Sequence, residues 1–337
     1  MIRSAAFTLS GLLLTTATLG AEHPLSAPRV TSLTNSKVRY EVAEDHHAVL
    51  KRGGVTAIIV DNAAVDVPAL PGHRAGYSGV AFLGHEKRPA NLFVPPYAGL
   101  NFEHIHDGTT AGLREKFEPR RFPMQLRIVD EYTVELYQAP TGNWKLESCG
   151  RYHLLEDGVI EYTFECIPRA GGYRNGYLGL FWASYIDRPE RKSIHFRGRG
   201  RAETGKDRRI EGITPSHGTD SSHGPSHAPT LPKVDPDFPL TLVNHPSSYL
   251  YTEPWYYGVS HGMAFAQIFR QRDRIWFAQS PTGGGKTNPA WDFQWFVPEP
   301  RIGEAYGFVM RAAYLPFKSH EQTEKTIAAH RRALNSK

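Results

Sequence analysis

Residues 99–108 (GLNFEHIHDG) carry the densest set of side chains that could transfer protons or bind a ligand. If this segment is a β-strand, His104 and His106 project from one face while Glu103 and Asp107 project from the other, because side chains alternate along a strand. Imidazoles titrate near neutral pH, so two of them on one face can act as acid and base. We therefore predict that His104 and His106 are catalytic. The alternative is a solvated loop whose histidines bind backbone groups.

The same two histidines allow a divalent metal site, since imidazole is a common metal ligand. The His-x-His pair is similar to the metal motif of cupins, but Gly99 stands at the wrong spacing before it. Neither Thr110 nor Ala111 supplies the glutamate of that motif. Metal sites normally need three or more protein ligands. We predict no cofactor and keep a divalent metal held by His104 and His106 as the alternative.

Residues 244–261 add aromatic rings and acid–base groups that suit a sugar ligand. Rings stack on the apolar faces of sugars, and carboxylates or imidazoles bind hydroxyl groups or transfer protons. Glu253 and His261 are predicted to be the catalytic counterparts of the two earlier histidines, and Trp255 to stack on the ligand. His261 shares a strand face with Phe265, so a hydrogen-bonded core histidine is an equally weighted alternative.

Residues 288–295 (NPAWDFQW) alternate large rings with polar side chains, which is typical of a half-buried strand. Three rings share one face, and Asp292 and Gln294 share the other. We expect the ring face to pack and the polar face to be free for a ligand.

The side chains predicted to bind substrate are polar or aromatic groups in or near these clusters, on an apolar hairpin face, or in the His-rich segment 198–238. Arg151 would pair with an acidic group of the ligand. For the His-rich segment, low sequence complexity is the competing explanation. The predicted substrate-binding set is Asn101, Glu103, Arg151, His153, Trp182, His217, Trp255 and Trp291.

The two cysteines flank a predicted hairpin, residues 149–166, with Asp-Gly at its centre. Asp-Gly favours a two-residue type I′ turn. Such a turn places Cys149 opposite Cys166, and Arg151 opposite Phe164 on an apolar face. Non-hydrogen-bonded partners of this kind lie about 4.5 Å apart at their Cα atoms, the short edge of disulfide geometry. We predict proximity of the cysteines, with a disulfide or two packed thiols as the open alternatives.

Many short strand patterns, frequent Gly and Pro, and no strand–helix alternation predict an all-β fold, a large antiparallel β-sandwich. We expect one β domain over residues 22–318, interrupted by a long excursion at 198–238. Residues 319–337 are predicted to form a short C-terminal helix and tail, since Ser319 and Gln322 make a capping box.

Residues 1–21 have the pattern of a signal peptide: Arg3 precedes a short uncharged apolar run that ends in small residues. Removing these 21 of the 337 residues leaves 316, and the net charge falls from +5 to +4 with the loss of Arg3. The expected location is secreted or periplasmic, with no membrane span after cleavage. Export makes nucleic acid a poor partner, and the mild positive charge is compatible with an acidic polysaccharide.

The long all-β chain, its scattered His and Glu, and the late segments WDFQWFVPEP and GEAYGFVMRAAYLPF resemble the galactose-mutarotase-like supersandwich proteins. The resemblance implies a concave sheet that binds a sugar. The function it favours is a carbohydrate-active enzyme of the epimerase, lyase or hydrolase type, using His/Glu acid–base chemistry. A noncatalytic glycan-binding or surface protein and a His-x-His metal enzyme are the alternatives.

Overall fold

The computed structural model describes residues 23–110, 115–240 and 244–336, so the predicted signal peptide lies outside the described residues. The described residues form nineteen strands, two α-helices and a short 3-10 helix at Gln271–Asp273. In chain order the strands and α-helices are β1 Glu41–Val42, β2 His47–Arg52, β3 Val55–Val60, β4 Gly79–His85, β5 Asn101–His106, α1 Glu118–Arg121, β6 Met124–Asp130, β7 Thr133–Gln138, β8 Leu146–Leu154, β9 Ile160–Pro168, β10 Tyr177–Ala183, β11 Ile194–Gly200, β12 Arg208–Gly212, β13 Ser222–Pro225, β14 Pro246–Tyr251, β15 Trp255–Ser260, β16 Met263–Phe269, β17 Trp276–Ser280, β18 Ala290–Pro298, β19 Tyr306–Pro316 and α2 His320–Asn335.

Sixteen strands form one continuous sheet in the order β1-β6-β7-β8-β9-β19-β16-β15-β11-β14-β13-β17-β18-β10-β5, with β12 paired to β11. The sheet closes over itself, because rings from distant parts of this order touch. Trp182 of β10 lies 4.8 Å from Phe164 of β9 and 5.1 Å from Phe308 of β19 between ring centroids. The predicted all-β sandwich is confirmed, and its pairing is antiparallel except where β13 runs parallel to β14.

A second sheet of three strands, β2-β3-β4, packs against the large one. Its buried residues Leu50, Val55 and Leu83 belong to the same apolar core as the rings of the sandwich. The loop that follows β4 carries Phe93 into contact with Phe265 of β16, at 5.7 Å between ring centroids. The small sheet therefore fixes the path of the chain that leads into β5.

The predicted register of the β8–β9 hairpin is wrong by one residue. Gly158 adopts a positive φ of 78°, and the Leu155 amide donates to the Val159 carbonyl at 2.8 Å, which makes a three-residue loop rather than a type I′ turn. Cys149 consequently pairs with Glu165 and faces the other side of the hairpin from Cys166. Both cysteines are buried free thiols.

Helix α2 begins after Ser319, whose side chain accepts a hydrogen bond from the Gln322 amide at 3.2 Å, as the capping box predicts. The helix buries Ile327 and Leu334 against an apolar cluster that includes Trp255 of β15. Among the described residues, no helix is both long and apolar enough to cross a membrane.

The segment 198–238, which was expected to interrupt the β domain as a long excursion, contributes strands to the large sheet. It contains the end of β11, all of β12 and β13, and Phe238, which belongs to the same buried apolar cluster as Phe181 of β10. This segment therefore covers the outer face of the sheet next to β5, where the candidate site lies.

Candidate active site

A cavity of about 230 Å³ opens on the outer face of the sheet, where β5, β10, β17 and β18 lie side by side. We call it the carboxyl cavity, after the two acidic side chains in its wall. The residues that line it are Tyr77, Tyr97, Glu103, His104, Phe181, Ala183, Tyr185, His217, Ser280, Thr282, Gly283, Gly284, Ala290 and Asp292.

A β-bulge brings Glu103 and His104 to this cavity together. In the pairing of β5 with β10, Trp182 lies opposite Phe102 and Phe181 lies opposite His104, so Glu103 is an extra residue. A bulge of this kind breaks the strict alternation of side chains and is common next to functional sites. The prediction that Glu103 projects from the face opposite His104 is therefore wrong, since both side chains line the cavity.

Glu103 is a buried carboxylate with a cation partner. The Tyr185 hydroxyl lies 2.8 Å from each of its carboxylate oxygens, and Arg120 Nη1 donates to Oε1 at 3.3 Å. Burial raises the pKa of Glu103, and the charge of Arg120 opposes this rise. The guanidinium also lies over the Tyr77 ring, 3.8 Å from its centroid. Arg120 and Tyr185 thus hold the Glu103 carboxylate in one orientation.

Asp292 of β18 is buried, and no cation among the described residues pairs with it. Its Oδ1 accepts a hydrogen bond from the Ser184 amide at 2.9 Å, and its Oδ2 has no hydrogen-bond partner among the described residues. Burial raises the pKa of Asp292 well above its ordinary value, and the charge of Glu103 adds to the effect. Burial thus favours the protonated form of this carboxyl group, and a proton on Oδ2 has no acceptor among the described residues.

Three tyrosines form an aromatic wall around the two carboxyl groups. The Tyr77 and Tyr97 rings lie 4.6 Å apart between centroids, and the Tyr97 and Tyr185 rings lie 4.9 Å apart. All three side chains are half-buried, so part of each ring faces solvent or the cavity. Rings exposed in this way present flat apolar surface together with a hydroxyl group.

His104 is neutral in this setting. Its Nδ1–H donates to the Lys116 carbonyl at 2.6 Å, which leaves Nε2 as a hydrogen-bond acceptor 3.9 Å from Glu103 Oε1. Burial lowers the pKa of His104 to about 3. The ring is therefore suited to orient a ligand hydroxyl, and the carboxyl pair is better suited to exchange protons.

The loop 281–287 forms the opposite wall and is held by Lys192. The Lys192 ammonium donates to the Pro281 carbonyl at 2.7 Å and to the Lys286 carbonyl at 2.6 Å. His217, which is exposed, reaches this loop through a 2.6 Å contact between its Nε2 and Thr282 Oγ1.

Replacing Lys192 with methionine is expected to loosen this loop without unfolding the protein. Hydrogen bonds from charged donors are worth roughly 1.5–3 kcal/mol when intact, and both acceptors lie in one short surface segment. Amide hydrogen exchange should rise in residues 281–287 and stay unchanged in β18. Lys286→Met is the matched control, since Lys286 contributes only its backbone carbonyl. Equal exchange in both variants would contradict the anchoring role.

No known protein family matches the sequence, and no curated protein is similar to it at the sequence level. Solved structures of carbohydrate-active enzymes are similar to the chain in three dimensions. A galactose 1-epimerase from Lactobacillus acidophilus NCFM shares 8% identity over 82% of this chain and 98% of that chain, with a TM-score of 0.42. An alpha-N-acetylgalactosaminidase from Bifidobacterium bifidum shares 11% identity over 84% of this chain and 38% of that chain, with a TM-score of 0.48.

A heparan sulfate lyase from Pedobacter heparinus shares 10% identity over 83% of this chain and 38% of that chain, with a TM-score of 0.39. The chain thus spans well under half the length of the lyase and of the galactosaminidase. Epimerases are among the enzyme types implied by the resemblance of the sequence to galactose-mutarotase-like proteins. The roles assigned to side chains below rest on the carboxyl cavity alone.

His106 and Asn101 are buried neighbours of the cavity that do not line it. His106 packs against Phe238 at 5.1 Å between ring centroids, and neither of its ring nitrogens has a hydrogen-bond partner among the described residues. Burial lowers its pKa to about 3. Asn101 Oδ1 accepts a hydrogen bond from the Ser78 amide at 3.1 Å.

Arg151 and His153 lie on a different part of the sheet. Because of the one-residue shift in register, they oppose Thr163 and Glu161 and do not share a face with the apolar rings of β9. Arg151 donates to Glu135 at 3.3 Å, and His153 is 2.7 Å from Thr133 Oγ1. Both side chains are therefore satisfied within the protein.

The three tryptophans predicted to bind substrate are all in apolar cores. Trp182 is fully buried between the rings of Phe102 and Phe293, at 5.0 and 5.1 Å between centroids. Trp291 donates through Nε1 to the Lys192 carbonyl at 3.2 Å, and Trp255 donates to Glu253 at 2.9 Å. None of the three lines the carboxyl cavity.

Glu253 and His261 also lie outside the cavity. Glu253 forms an ion pair with Arg331 of α2. His261 is an exposed turn residue with φ 51°, and its backbone amide donates to Glu190 at 2.8 Å. The structure thus brings together Glu103, His104 and His217 of the predicted residues and separates the others.

Among the described residues, no group of three or more His, Cys, Asp or Glu side chains is placed to hold a metal ion. His104 Nδ1 is occupied by a backbone carbonyl. The ring of His106 is enclosed by Phe238, Tyr177 and Phe296. His104 and His106 are therefore not placed to bind one shared metal ion.

Trp182→Phe is expected to lower the free energy of unfolding by about 1–3 kcal/mol, because it removes ring volume and the 3.1 Å hydrogen bond from Nε1 to Tyr162. Ligand binding at the carboxyl cavity should be unchanged, since Trp182 is fully buried. Denaturant unfolding and a binding assay on the same preparation test both statements. Tyr77→Phe, at the cavity wall, is the matched ring variant and should show the reverse pattern.

Proposed function

We propose that this chain is an exported carbohydrate-active enzyme in which Asp292 acts as general acid and Glu103 as general base. The observation that carries the proposal is the pair of buried carboxyl groups in one cavity, of which only Glu103 has a cation partner within the described part of the chain. When the surroundings of two carboxyl groups give them different pKa values, the group with the higher pKa is suited to be the general acid and the other to be the general base. In this assignment Asp292 holds the proton, because burial raises its pKa well above the ordinary value, and Glu103 acts as the carboxylate, because Arg120 and Tyr185 oppose the rise of its pKa.

The proton exchange leaves the charge of the pair unchanged. Asp292 gives its proton to a ring or glycosidic oxygen of the ligand, while Glu103 takes a proton from a hydroxyl group, an activated water or an acidic C–H. Epimerisation, hydrolysis and elimination all use such an exchange. General acid–base groups of this kind typically contribute about 10²–10⁴-fold to the rate.

The size and the lining of the cavity favour a sugar as substrate. Its volume of about 230 Å³ is below the roughly 300–1,000 Å³ typical of pockets for drug-sized ligands, so it suits one small ring. The tyrosine wall offers flat apolar surface, and His104 Nε2 offers a hydroxyl acceptor. Export through residues 1–21 would give the enzyme access to extracellular or periplasmic glycans.

A noncatalytic glycan-binding protein is the second candidate. It accounts for the aromatic wall but gives no role to the buried carboxyl group of Asp292, which borders the cavity and has an oxygen without a partner among the described residues. Burying such a group costs stability whatever its role, and costs of this kind are typical of functional sites. The carboxyl pair therefore favours the enzyme.

A glycan screen of the chain beginning at Glu22 should record both binding and product formation. The expected result is product from at least one neutral or acidic sugar with wild type, and binding without product with Asp292→Asn. Binding without turnover by the wild type across the screen would favour the noncatalytic candidate. Equal turnover by both proteins would place the chemistry outside this cavity.

A further inference from the structure

A second cavity, of about 400 Å³, lies between the start of α2 and strands β11, β12 and β15. We call it the histidine cavity. None of its residues lines the carboxyl cavity. The residues that line it are Glu190, Arg191, Ser193, His195, Glu211, Val259, Gly262, Phe317 and His320.

His195 is a buried polar residue in the wall of this cavity. The side chain belongs to a residue that is only 8% exposed, and its Nδ1 has no hydrogen-bond partner among the described residues. The ring lies 4.7 Å from the His320 ring and 5.3 Å from the Tyr257 ring between centroids. Burial lowers the pKa of His195 to about 4, so the ring is neutral at pH 7. A neutral imidazole has one donor and one acceptor nitrogen, so a ring that lines a cavity can bind a ligand hydroxyl group through its edge.

The charged groups of the lining act as acceptors and leave no spare cation. Glu211 accepts hydrogen bonds from Ser193 at 2.8 Å and from Arg191 at 3.2 Å, so the guanidinium is already paired. Glu190 accepts from the His261 amide and faces solvent on its other side. An anionic ligand would meet two carboxylates here, whereas a ligand with several hydroxyl groups would find acceptors for them.

Flat apolar surfaces complete the wall. The Phe317 and His320 rings meet edge to face at 5.2 Å between centroids, and Val259 lies beside them. His320 is fixed by a 2.5 Å contact between its Nδ1 and the Tyr257 hydroxyl. This volume falls within the roughly 300–1,000 Å³ range of small-molecule sites, and an apolar wall with a few fixed polar groups is their usual composition.

We propose that the histidine cavity is a second, noncatalytic binding site for a neutral, hydroxyl-rich ligand, one or two sugar units of a glycan. It is separate from the carboxyl cavity and does not depend on the acid–base roles of Asp292 and Glu103.

The test is a titration followed at the histidine rings themselves. Protein labelled with ¹⁵N in its histidines is titrated with D-glucose and D-galactose, and with D-glucuronate and D-glucosamine as charged counterparts. The His195 and His320 ring signals are assigned from His195→Gln and His320→Gln. We expect saturable shifts of both signals with at least one neutral hexose, and weaker or no shifts with glucuronate.

Two variants separate this site from the carboxyl cavity. Val259→Trp fills the histidine cavity and should reduce the shifts of both rings at least tenfold, without changing the response of the His217 ring. Asp292→Asn should leave the shifts of His195 and His320 as they are. Absence of shifts with both neutral hexoses, shifts with glucosamine only, or full shifts in Val259→Trp would each overturn the proposal. Because the readout is at His195 and His320, none of these results bears on turnover.

Discussion

Replacing Asp292 with asparagine is expected to lower turnover by about 10²–10⁴-fold, the range for loss of a general acid or base, and to leave the folded structure intact. The asparagine carbonyl can still accept the Ser184 amide hydrogen bond that Asp292 Oδ1 accepts at 2.9 Å. What is lost is the proton on the second oxygen. Steady-state kinetics on a substrate found in the glycan screen measure the effect. Asp45→Asn, at an exposed position, is the control and should have wild-type turnover.

Asp292→Asn is also expected to change how the free energy of unfolding depends on pH. The pKa of Asp292 is raised in the folded protein, so the folded state binds more protons than the unfolded state above the ordinary aspartate pKa. The free energy of unfolding of the wild type therefore falls as the pH rises above about 4, because of this one group. Asp292→Asn lacks this dependence, so its stability relative to wild type should increase with pH. A difference that stays constant from pH 4 to pH 8 would contradict a protonated Asp292.

Replacing Glu103 with glutamine is expected to lower turnover by a similar factor, about 10²–10⁴, and also to destabilise the protein. Glutamine leaves the Arg120 guanidinium without its carboxylate in a poorly solvated place. Breaking one side of a buried ion pair costs up to about 3–5 kcal/mol. The contact of Arg120 with the Tyr77 ring reduces the loss. Chemical denaturation and turnover measured on one preparation give both quantities.

The double variant Glu103→Gln with Arg120→Gln separates the two effects. Removing the unpaired cation should restore part of the stability, while turnover stays at the level of the single variant. A single variant that turns over at the wild-type rate would show that Glu103 is not the base. Recovery of turnover in the double variant would assign Glu103 a purely structural role.

The sandwich was predictable because its strands alternate. In β18 the rings of Trp291, Phe293 and Trp295 pack in the core, and Asp292 projects from the other face, as the sequence pattern indicates. The sequence therefore contained the signal for Asp292. It did not show which of the polar faces in the sheet is next to a cavity, since that depends on strand order, and β18 lies far along the chain from β5 and β10.

The meeting of Glu103 with His104 was not predictable from alternation. It depends on a one-residue bulge, whose position is set by how β5 pairs with β10 and not by a local pattern. The tyrosine wall has the same origin, because Tyr77, Tyr97 and Tyr185 come from three separate loops. The β8–β9 register failed for a more local reason, since Asp-Gly can serve a three-residue loop with Gly158 at positive φ as well as a two-residue turn.

The tryptophans show the limit of residue type as a guide to binding. Trp182, Trp255 and Trp291 are among the largest fully buried side chains of the protein. An indole ring stabilises a core as effectively as it binds a sugar, and sequence does not separate the two uses. The tyrosines, which have a polar end, are the rings left half-exposed at the cavity.

The central claim is that a protonated carboxyl group lies beside a carboxylate in the carboxyl cavity. Difference infrared spectra of wild type and Asp292→Asn at pH 7 test it without a substrate. The account predicts a protonated carboxylic acid band in the wild type that is missing in Asp292→Asn and is kept in Asp45→Asn. A wild-type spectrum without that band, with Asp292 ionised at pH 7, would contradict it.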